Sequence, residues 1–544
     1  MWEQNYRPVA GSLGLSALVA AIPLFVLFYM LGVKRKPSWI AGLSALAAAW
    51  VVVLAVIHMP VQQALASTIY GAAFGIFPIF WIVFSAILLY RVTVDTGKFE
   101  IIKDSVGALS DDRRLQALLI AFSFGAFVEG AAGFGTPVAV AAAMLAGLGF
   151  SPFYAAGICL LANTAPVAFG SIGIPVITLA GITSLPVNHL SAMVGRICAM
   201  ISVIIPTYLV VTMAGWAGAA EVWPAVVACG ATFAAVQFSI SNFVGPELTD
   251  ILASLTSIGA MVLVMKLWHP AQIFRLEGDA PVNKAPRKHS TGEIFYAWSP
   301  YILLVIFVLL WGYPPIKAVL EKGITKLIPM PGLHNMVMRM PPVTKAPSPY
   351  PAVYTFNWLS AAGTSCFFAA IVSALILGMS PKKFASVTVS VSKQLALPML
   401  TIASVLGLAF LMNYAGMTST LGLAFAATGS AFPFFSSLLG WMGVFLTGSD
   451  TSANALFGNL QVVTANTLGI NPILTAGVNS AGGVMGKMIS LQSIAVAVAA
   501  TGMPPSDEGK LFRFTLRHSV ILVTVVGLIA LAYAYLAPSL IPSP

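Results

Sequence analysis

Ten stretches of this chain run for about twenty residues with almost no charge, the length an α-helix needs to cross a hydrocarbon layer. They are Ser12–Leu31, Trp39–Ile57, Thr68–Tyr90, Ile197–Trp216, Trp223–Ile240, Ile251–Leu267, Ile294–Trp311, Trp358–Leu377, Leu395–Met412 and Val520–Leu540. Two further apolar regions, Leu115–Ile182 and Thr418–Gly502, are rich in glycine and resist division into clean spans, so broken helices are expected there. The pattern predicts an all-α polytopic membrane protein of roughly 12 to 14 transmembrane helices. Alternating segments of about ten residues, the mark of a membrane barrel, are absent. Composition agrees: 58% of the 544 residues are hydrophobic and 8% charged, too few charges to clothe a soluble surface. The four cysteines, Cys159, Cys198, Cys229 and Cys366, are scattered without a CxxC pair and read as small core residues. Met1 to Arg7 is too polar to begin a signal peptide, so the first apolar run is expected to remain as a spanning helix.

The net charge of +10 sits mostly between the apolar runs, which makes it a topology signal rather than a nucleic-acid signal. Lys34-Arg35-Lys36 marks a cytoplasmic connection, and the uncharged stretch His58 to Ala66 an outer one. Arg91, Lys98, Lys103, Arg113 and Arg114 mark the next inner loop. Lys266, Arg275, Lys284, Arg287 and Lys288 mark another, as do Lys382-Lys383 and Lys510/Arg513/Arg517. One loop disagrees: Gly312–Thr355 must lie outside by this count, yet it holds five basic residues. Its length and its prolines weaken it as a signal.

An internal repeat adds a second constraint. Leu148-Gly149-Phe150-Ser151-Pro152-Phe153-Tyr154-Ala155-Ala156-Gly157 matches Leu468-Gly469-Ile470-Asn471-Pro472-Ile473-Leu474-Thr475-Ala476-Gly477 in Leu, Gly, Pro, Ala and Gly, at an offset of 320. Carried upstream, the offset sets Phe127–Gly130 beside Thr447–Asp450. Downstream, Asn163-Thr164-Ala165 matches Asn479-Ser480-Ala481 if four residues are deleted. The basic loop Arg91–Arg114 then corresponds to Leu411–Phe434, which has no charge at all. Equivalent loops of opposite charge character belong on opposite sides of a membrane, so two inverted-topology repeats with broken helices or re-entrant hairpins are expected. The division that follows is residues 1–66 as N-terminal helices, 67–270 as the first repeat with following helices, 271–386 as connecting loops and helices, and 387–544 as the second repeat with a C-terminal helix.

An ionisable group inside an apolar region needs a reason. Glu129 is followed by no charge until Arg196, and Asp450 and Lys487 are the only charges between Gln394 and Asp507. Glu129 precedes Gly133-Phe134-Gly135-Thr136-Pro137, a sequence that disfavours continuous helix and suits a turn whose amides face an anion. Ser449, Thr451, Ser452 and Asn454 surround Asp450 and bind through dipoles without adding charge. Close-packed helix crossing explains glycines alone, but not a carboxylate in each copy. Glu129 and Asp450 are therefore the candidate proton carriers, with a structural ion pair to Arg196 or Lys487 as the alternative. Lys487 is the candidate cation for a substrate carboxylate. Gly482 to Gly486 resembles a phosphate loop but has the wrong spacing, with Met488 where Ser or Thr belongs. Arg196 is equally explained by snorkelling, and Glu247 and Asp250 by helix capping. The six histidines form no metal-binding cluster, and no nucleophile–base constellation points to an enzyme. No cofactor is implied.

These strings resemble the L-lactate permease family, which includes glycolate permeases. The resemblance is carried by Gly125-Ala126-Phe127-Val128-Glu129-Gly130-Ala131-Ala132-Gly133-Phe134-Gly135, by Asn163–Gly170, by Ser241-Asn242-Phe243-Val244-Gly245-Pro246-Glu247-Leu248, by Leu446–Ser452, and by Gly486-Lys487-Met488-Ile489-Ser490. It implies a proton-coupled importer of L-lactate, D-lactate and glycolate in a bacterial cytoplasmic membrane, with inverted repeats and paired re-entrant hairpins. On that reading the substrate site comprises Gly133, Phe134, Gly135, Thr136, Asn163, Thr164, Ser449, Thr451, Ser452, Asn454, Asn479, Ser480 and Lys487. Glu129 and Asp450 couple protons, and Arg196, Glu247 and Asp250 are secondary candidates. A sodium-coupled or exchange transporter of another small organic anion is the alternative.

Overall fold

A computed structural model describes residues 1–133, 135–276, 287, 289–322 and 324–543; Phe134 of the expected site, and Lys284 and Lys288 of the basic loop, lie outside the described residues. In the first half the helices are α1 (Leu13–Val33), α2 (Ser38–Ile57), α3 (Val61–Asp95), α4 (Lys98–Gly107), α5 (Arg113–Ala131), α6 (Thr136–Gly147), α7 (Pro152–Ala162), α8 (Gly170–Thr183), α9 (Val187–Glu221), α10 (Trp223–Phe243) and α11 (Thr249–Leu267). Then follow α12 (Thr291–Gly312), α13 (Pro314–Glu321), α14 (Ala362–Ile376), α15 (Pro381–Gln394), α16 (Ala396–Tyr414), α17 (Met417–Phe425), α18 (Phe432–Thr447), α19 (Asp450–Leu468), α20 (Pro472–Lys487), α21 (Leu491–Thr501) and α22 (Glu508–Tyr535). Among the described residues, twelve helical segments are long and apolar enough to cross a membrane, or thirteen if the bent pair α7/α8, angled at 63°, is one span. The protein is a multi-pass membrane protein. Its strands are short and confined to polar segments: β1 (Trp2–Glu3), β2 (Lys326–Pro329), β3 (Val337–Arg339), β4 (Ser348–Pro349) and β5 (Val353–Phe356).

The loops sort to two sides as their charges predict. Lys383 Nζ donates to the Asp95 carbonyl at 2.7 Å, His289 meets Asp104 at 3.0 Å, and Arg114 reaches the Gln272 carbonyl at 3.1 Å. Those bonds join three basic loops on one side. On the other, β1 pairs with β3, Gln4 donates to the Asn413 and Tyr414 carbonyls, and Tyr70 Oη donates to the Val353 carbonyl at 2.9 Å. The basic loop Gly312–Thr355 therefore shares a side with the N-terminus, where the helix count puts it. Its charge is accommodated by folding: Arg339 lies over the Tyr350 ring, 4.8 Å from its centre, within a small sheet.

The repeated decapeptide has a local explanation. Gly149 and Gly469 end their helices with φ of 99° and 69°, a conformation glycine adopts without strain. Ser151 and Asn471 then cap the next helix, accepting from Tyr154 N–H at 3.4 Å and Ile473 N–H at 2.9 Å. Pro152 and Pro472 take the first helical position, where no N–H is needed. Gly157 lies against the Phe514 ring of α22, whereas Gly477 lies against Met193 of α9. Met193 and Phe514 are themselves 321 residues apart, so each copy packs on the equivalent position of the other. Likewise α6 packs on α21 while α8 packs on α19. This exchange of contacts is what a two-fold relation between the halves produces.

One detail of the sequence alignment does not survive. Pro152 and Pro472, Gly170 and Leu491, and Val187 and Glu508 begin equivalent helices at offsets of 320 to 321. No four-residue deletion falls between them. Asn163 caps the end of α7, whereas Asn479 lies inside α20, so the shared Asn-x-Ala string is not a structural equivalence.

Candidate functional site

Each half contributes a helical hairpin and a broken helix. The first hairpin is α5–α6, turning at Gly133 and Gly135; the second is α18–α19, turning at Gly448 and Ser449. The first broken helix is α7/α8, the second α20/α21. The tips differ in construction. Gly133 has φ of 61°, and a Cβ there would strike Ser171 Oγ, which itself donates to the Ala132 carbonyl at 2.9 Å. The first tip is thus fastened to the break of α7/α8, where Ser171, Ile172 and Gly173 all have positive φ. Such backbone in a β-branched residue costs on the order of 1–3 kcal/mol and persists only where packing enforces it. The second tip has one glycine of positive φ, Gly448 at 71°, and then a serine cap: Ser449 Oγ accepts from Ser452 N–H at 3.2 Å.

A cavity of about 390 Å³ lies where the second tip, the start of α8 and the break of α20/α21 converge. Glu129, Ser449, Asp450, Thr451, Ser452 and Lys487 line its polar wall, together with Ser171, Thr447 and Gln492. The opposite wall is apolar and comes from α1 and α16, through Leu27, Leu31, Leu397 and Ile402. A wider space of about 830 Å³, bordered by Arg35, Lys36 and Glu508, shares Leu31, Thr447 and Gln492 with this cavity. The cavity therefore adjoins the space on the side that carries Lys34-Arg35-Lys36.

Lys487 ends α20, and its ammonium donates to the Gly448 carbonyl at 2.6 Å, binding the second tip to the second break. It acts electrostatically on both Glu129 and Asp450, yet forms no ion pair within 4 Å among the described residues. Asp450 Oδ2 accepts from Ser480 Oγ at 2.6 Å and from Asn454 Nδ2 at 3.3 Å. Asn479 donates to Asn454 at 2.9 Å, Gln461 donates to Asn479 at 2.9 Å, and Ser436 donates to Gln461 at 2.8 Å. This buried chain holds one carboxylate oxygen and leaves the other, Asp450 Oδ1, without a partner. Glu129 has no comparable support: it lies beside Asn163, but its Oε2 and both amide atoms of Asn163 complete no hydrogen bond. Buried carboxylate oxygens without partners are costly unless something arrives to satisfy them.

The other residues singled out from sequence sit around this centre rather than in it. Asn454, Asn479 and Ser480 lie beneath the cavity in the Asp450 network. Gly133, Gly135 and Thr136 form the first tip without lining the cavity; Gly135 faces Val496 of α21. The Thr164 hydroxyl bonds back to the Leu161 carbonyl at 2.8 Å. Arg196 is distant, held by Asn242 at 2.8 Å and by the Leu540 carbonyl, so neither it nor Lys487 makes a structural ion pair with the two carboxylates. Glu247 turns toward Gly245, outside the cavity. Asp250 lies in the first turn of α11 but accepts no capping bond, and packs against Gly130 behind Glu129. The glycines of Gly482–Gly486 admit α18: side chains at Gly482 and Gly486 would meet the backbone at Ser437 and Trp441. Sequence reasoning missed Ser171, Gln492 and the whole apolar wall. The strained break at Ser171 had no signal beyond its glycines, and α1 and α16 read as ordinary spans.

A model of the L-lactate permease family matches residues 16–537. The chain belongs to that family. It is 47% identical to an L-lactate permease of Bacillus subtilis, over 99% of this chain and 100% of that protein. It is 46% identical to the glycolate permease GlcA of Escherichia coli and 45% to an L-lactate permease of the same species, each over the full length of both chains. Members of the family are permeases, which makes this protein a transporter and not an enzyme. Among solved structures, the YdaH transporter of Alcanivorax borkumensis aligns with a TM-score of 0.46 at 14% identity, over 89% of each chain. The MtrF efflux pump of Neisseria gonorrhoeae aligns with a TM-score of 0.45 at 14% identity, over 84% of this chain and 81% of that one.

Proposed function

We propose that this protein imports lactate and glycolate by proton symport across a bacterial cytoplasmic membrane. The observation that carries the reading is one lysine acting on two carboxylates at the wall of one cavity, each carboxylate with an unsatisfied oxygen. A short monocarboxylate brings one negative charge, which Lys487 and the serine and threonine hydroxyls of the second tip neutralise. A proton on Glu129 or Asp450 then cancels the charge that the anion adds, so the loaded site carries the same net charge as the empty one. Charge inside a low-dielectric cavity is expensive, so proton and anion favour each other's binding. That mutual preference is what symport requires. The apolar wall accepts the alkyl end of the substrate, and in this reading residues 67–270 and 387–544 supply the two halves of the site. The family membership and the names of the relatives support lactate and glycolate as substrates.

The test is uptake of labelled lactate by proteoliposomes, with and without an inward proton gradient. Gradient-driven accumulation by wild type, lost in Glu129→Gln while lactate counterflow persists, supports both substrate and coupling. Accumulation that follows sodium at fixed pH transfers the assignment to a sodium-coupled mode. No uptake by folded wild-type protein removes lactate as the substrate.

A further inference from the structure

A third carboxylate lies behind the cavity and has no hydrogen-bond or ion-pair partner among the described residues. Asp250 is 1% exposed, and neither of its oxygens completes a hydrogen bond. It stands in the first turn of α11, which packs on α5, α8 and α10. A side chain built on Gly130 would come within 2.8 Å of the Asp250 Cβ, so the hairpin arm carrying Glu129 touches this turn directly. Helix capping does not explain the residue, because the cap position is Leu248 and no side-chain cap bond forms. Ion pairing does not explain it either: among the described residues Glu129 is the one charged group acting on Asp250, and it has the same sign. Lys487 acts on Glu129 but is shared with Asp450, and no cation acts on Asp250 among the described residues, so the two neighbouring carboxyls cannot both be ionised at acceptable cost and together retain at least one proton. One of them borders the cavity and the other does not.

We propose that Glu129 and Asp250 form one coupling unit that shares a single proton, with Asp250 acting on the substrate cavity only through Glu129. The proposal rests on the symport reading and extends it. When the substrate anion arrives beside Glu129, the O–H bond of Asp250 breaks and one forms on Glu129; the negative charge passes from Glu129 to Asp250, away from the anion. Departure of the anion reverses the step: the O–H bond of Glu129 breaks, one re-forms on Asp250, and the negative charge returns to Glu129, which can then take up a proton from the cavity. Gly130 is the residue that lets the arm carrying Glu129 pack on the turn carrying Asp250, since any larger side chain there would displace Asp250 or Ile251.

The experiment compares wild type, Asp250→Asn and Asp250→Glu in proteoliposomes, measuring gradient-driven lactate accumulation, counterflow, and the pH profile of counterflow. Asp250→Asn is expected to lose accumulation while counterflow persists with an altered pH profile, because the amide fills the space but takes no proton. Accumulation and pH profile equal to wild type overturn the proposal. If Asp250→Asn does not fold, Asp250→Glu decides: a shifted pH midpoint supports the pair, an unchanged one overturns it. If wild type shows no proton-driven uptake, the symport reading fails on its own terms. The infrared carbonyl band of a protonated carboxyl then tests the pair separately. Its presence at neutral pH and its loss in Asp250→Asn support a shared proton, and identical spectra overturn it.

Discussion

The two hairpin tips come from equivalent places in the repeat and solve the same geometric problem with opposite chemistry. In the first, the carboxylate precedes the turn, at the end of α5, and the turn is sealed by contact with Ser171. In the second, the carboxylate follows the turn as the first residue of α19, and hydroxyls and a capping serine fill the space that glycines occupy in the other. Glu129 is left with an unpartnered oxygen, Oε2, and no network behind it, whereas Asp450 is anchored through Ser480 and Asn454 to a buried chain of amides. Duplication preserved the architecture that brings two tips and two broken helices together. It did not preserve the chemistry, and a one-cation site with two unlike carboxylates is the result. A loosely held carboxyl is free to change protonation; one wired into a network holds its position.

Four experiments break or sharpen that comparison. The largest effect is expected from Lys487→Met, which removes the shared cation and the 2.6 Å bond to Gly448. Lactate binding should weaken by roughly two orders of magnitude, with counterflow lost as well as accumulation, since truncating one member of a buried charged set costs about 2–5 kcal/mol. Counterflow at wild-type levels would remove Lys487 from the site. Next, Asp450→Asn and Glu129→Gln should separate the tips. The first is expected to lower counterflow because an amide nitrogen or oxygen disturbs the Ser480 and Asn454 bonds; the second is expected to spare counterflow. Equal loss in both variants would mean that the tips act as equivalents.

A smaller and purely structural contrast comes from Gly133→Ala and Gly448→Ala. Each places a Cβ on backbone of positive φ, at about 1–2 kcal/mol. At Gly133 the Cβ also strikes Ser171, which is held by its own hydrogen bond; at Gly448 it meets the Gln492 amide at 2.7 Å, the end of a flexible side chain. Thermal unfolding in detergent should therefore fall further for Gly133→Ala, and a larger loss at Gly448 would show that the second tip is the rigid one. The smallest effect is none at all on transport. Lys36→Cys and Lys345→Cys, both exposed, should react with impermeant thiol reagents from opposite faces of the membrane. Labelling of both from one face would place the basic loop Gly312–Thr355 on the inner side and undo the inverted arrangement.

Much of the fold was legible because membranes impose simple arithmetic. Span length, the scarcity of charge and the Lys34–Lys36 and Arg91–Arg114 clusters fixed the number and sides of the helices before any contact was known. The decapeptide gave the repeat because its Gly, Ser or Asn, Pro and Gly each answer a local backbone or contact demand. The same reasoning erred at Asn163 and Asn479, since two identical residues in apolar sequence carry little register information and element boundaries outweigh them. Glu129, Asp450 and Lys487 stood out as charges in apolar runs, and all three border the cavity. Arg196 stood out on the same grounds and Thr164 as part of a matched string, yet a hydroxyl satisfied by its own helix and an arginine drawn to the Leu540 carbonyl look identical to site residues in a sequence.

The sequence by itself determined that this protein lives in a bilayer, that its halves repeat, and which few charged groups sit inside it, because insertion energy depends on composition and length and is indifferent to partners. Only the tertiary structure decided which of those groups meet. It set Lys487 between two carboxylates from different halves, gave Asp450 a network and Glu129 none, brought α1 and α16 in as the apolar wall, and put Asp250 behind Gly130. Those pairings arise from helix crossings between segments that lie from 30 to several hundred residues apart, where the contact is made by whatever the packing leaves adjacent, and no local pattern encodes that adjacency.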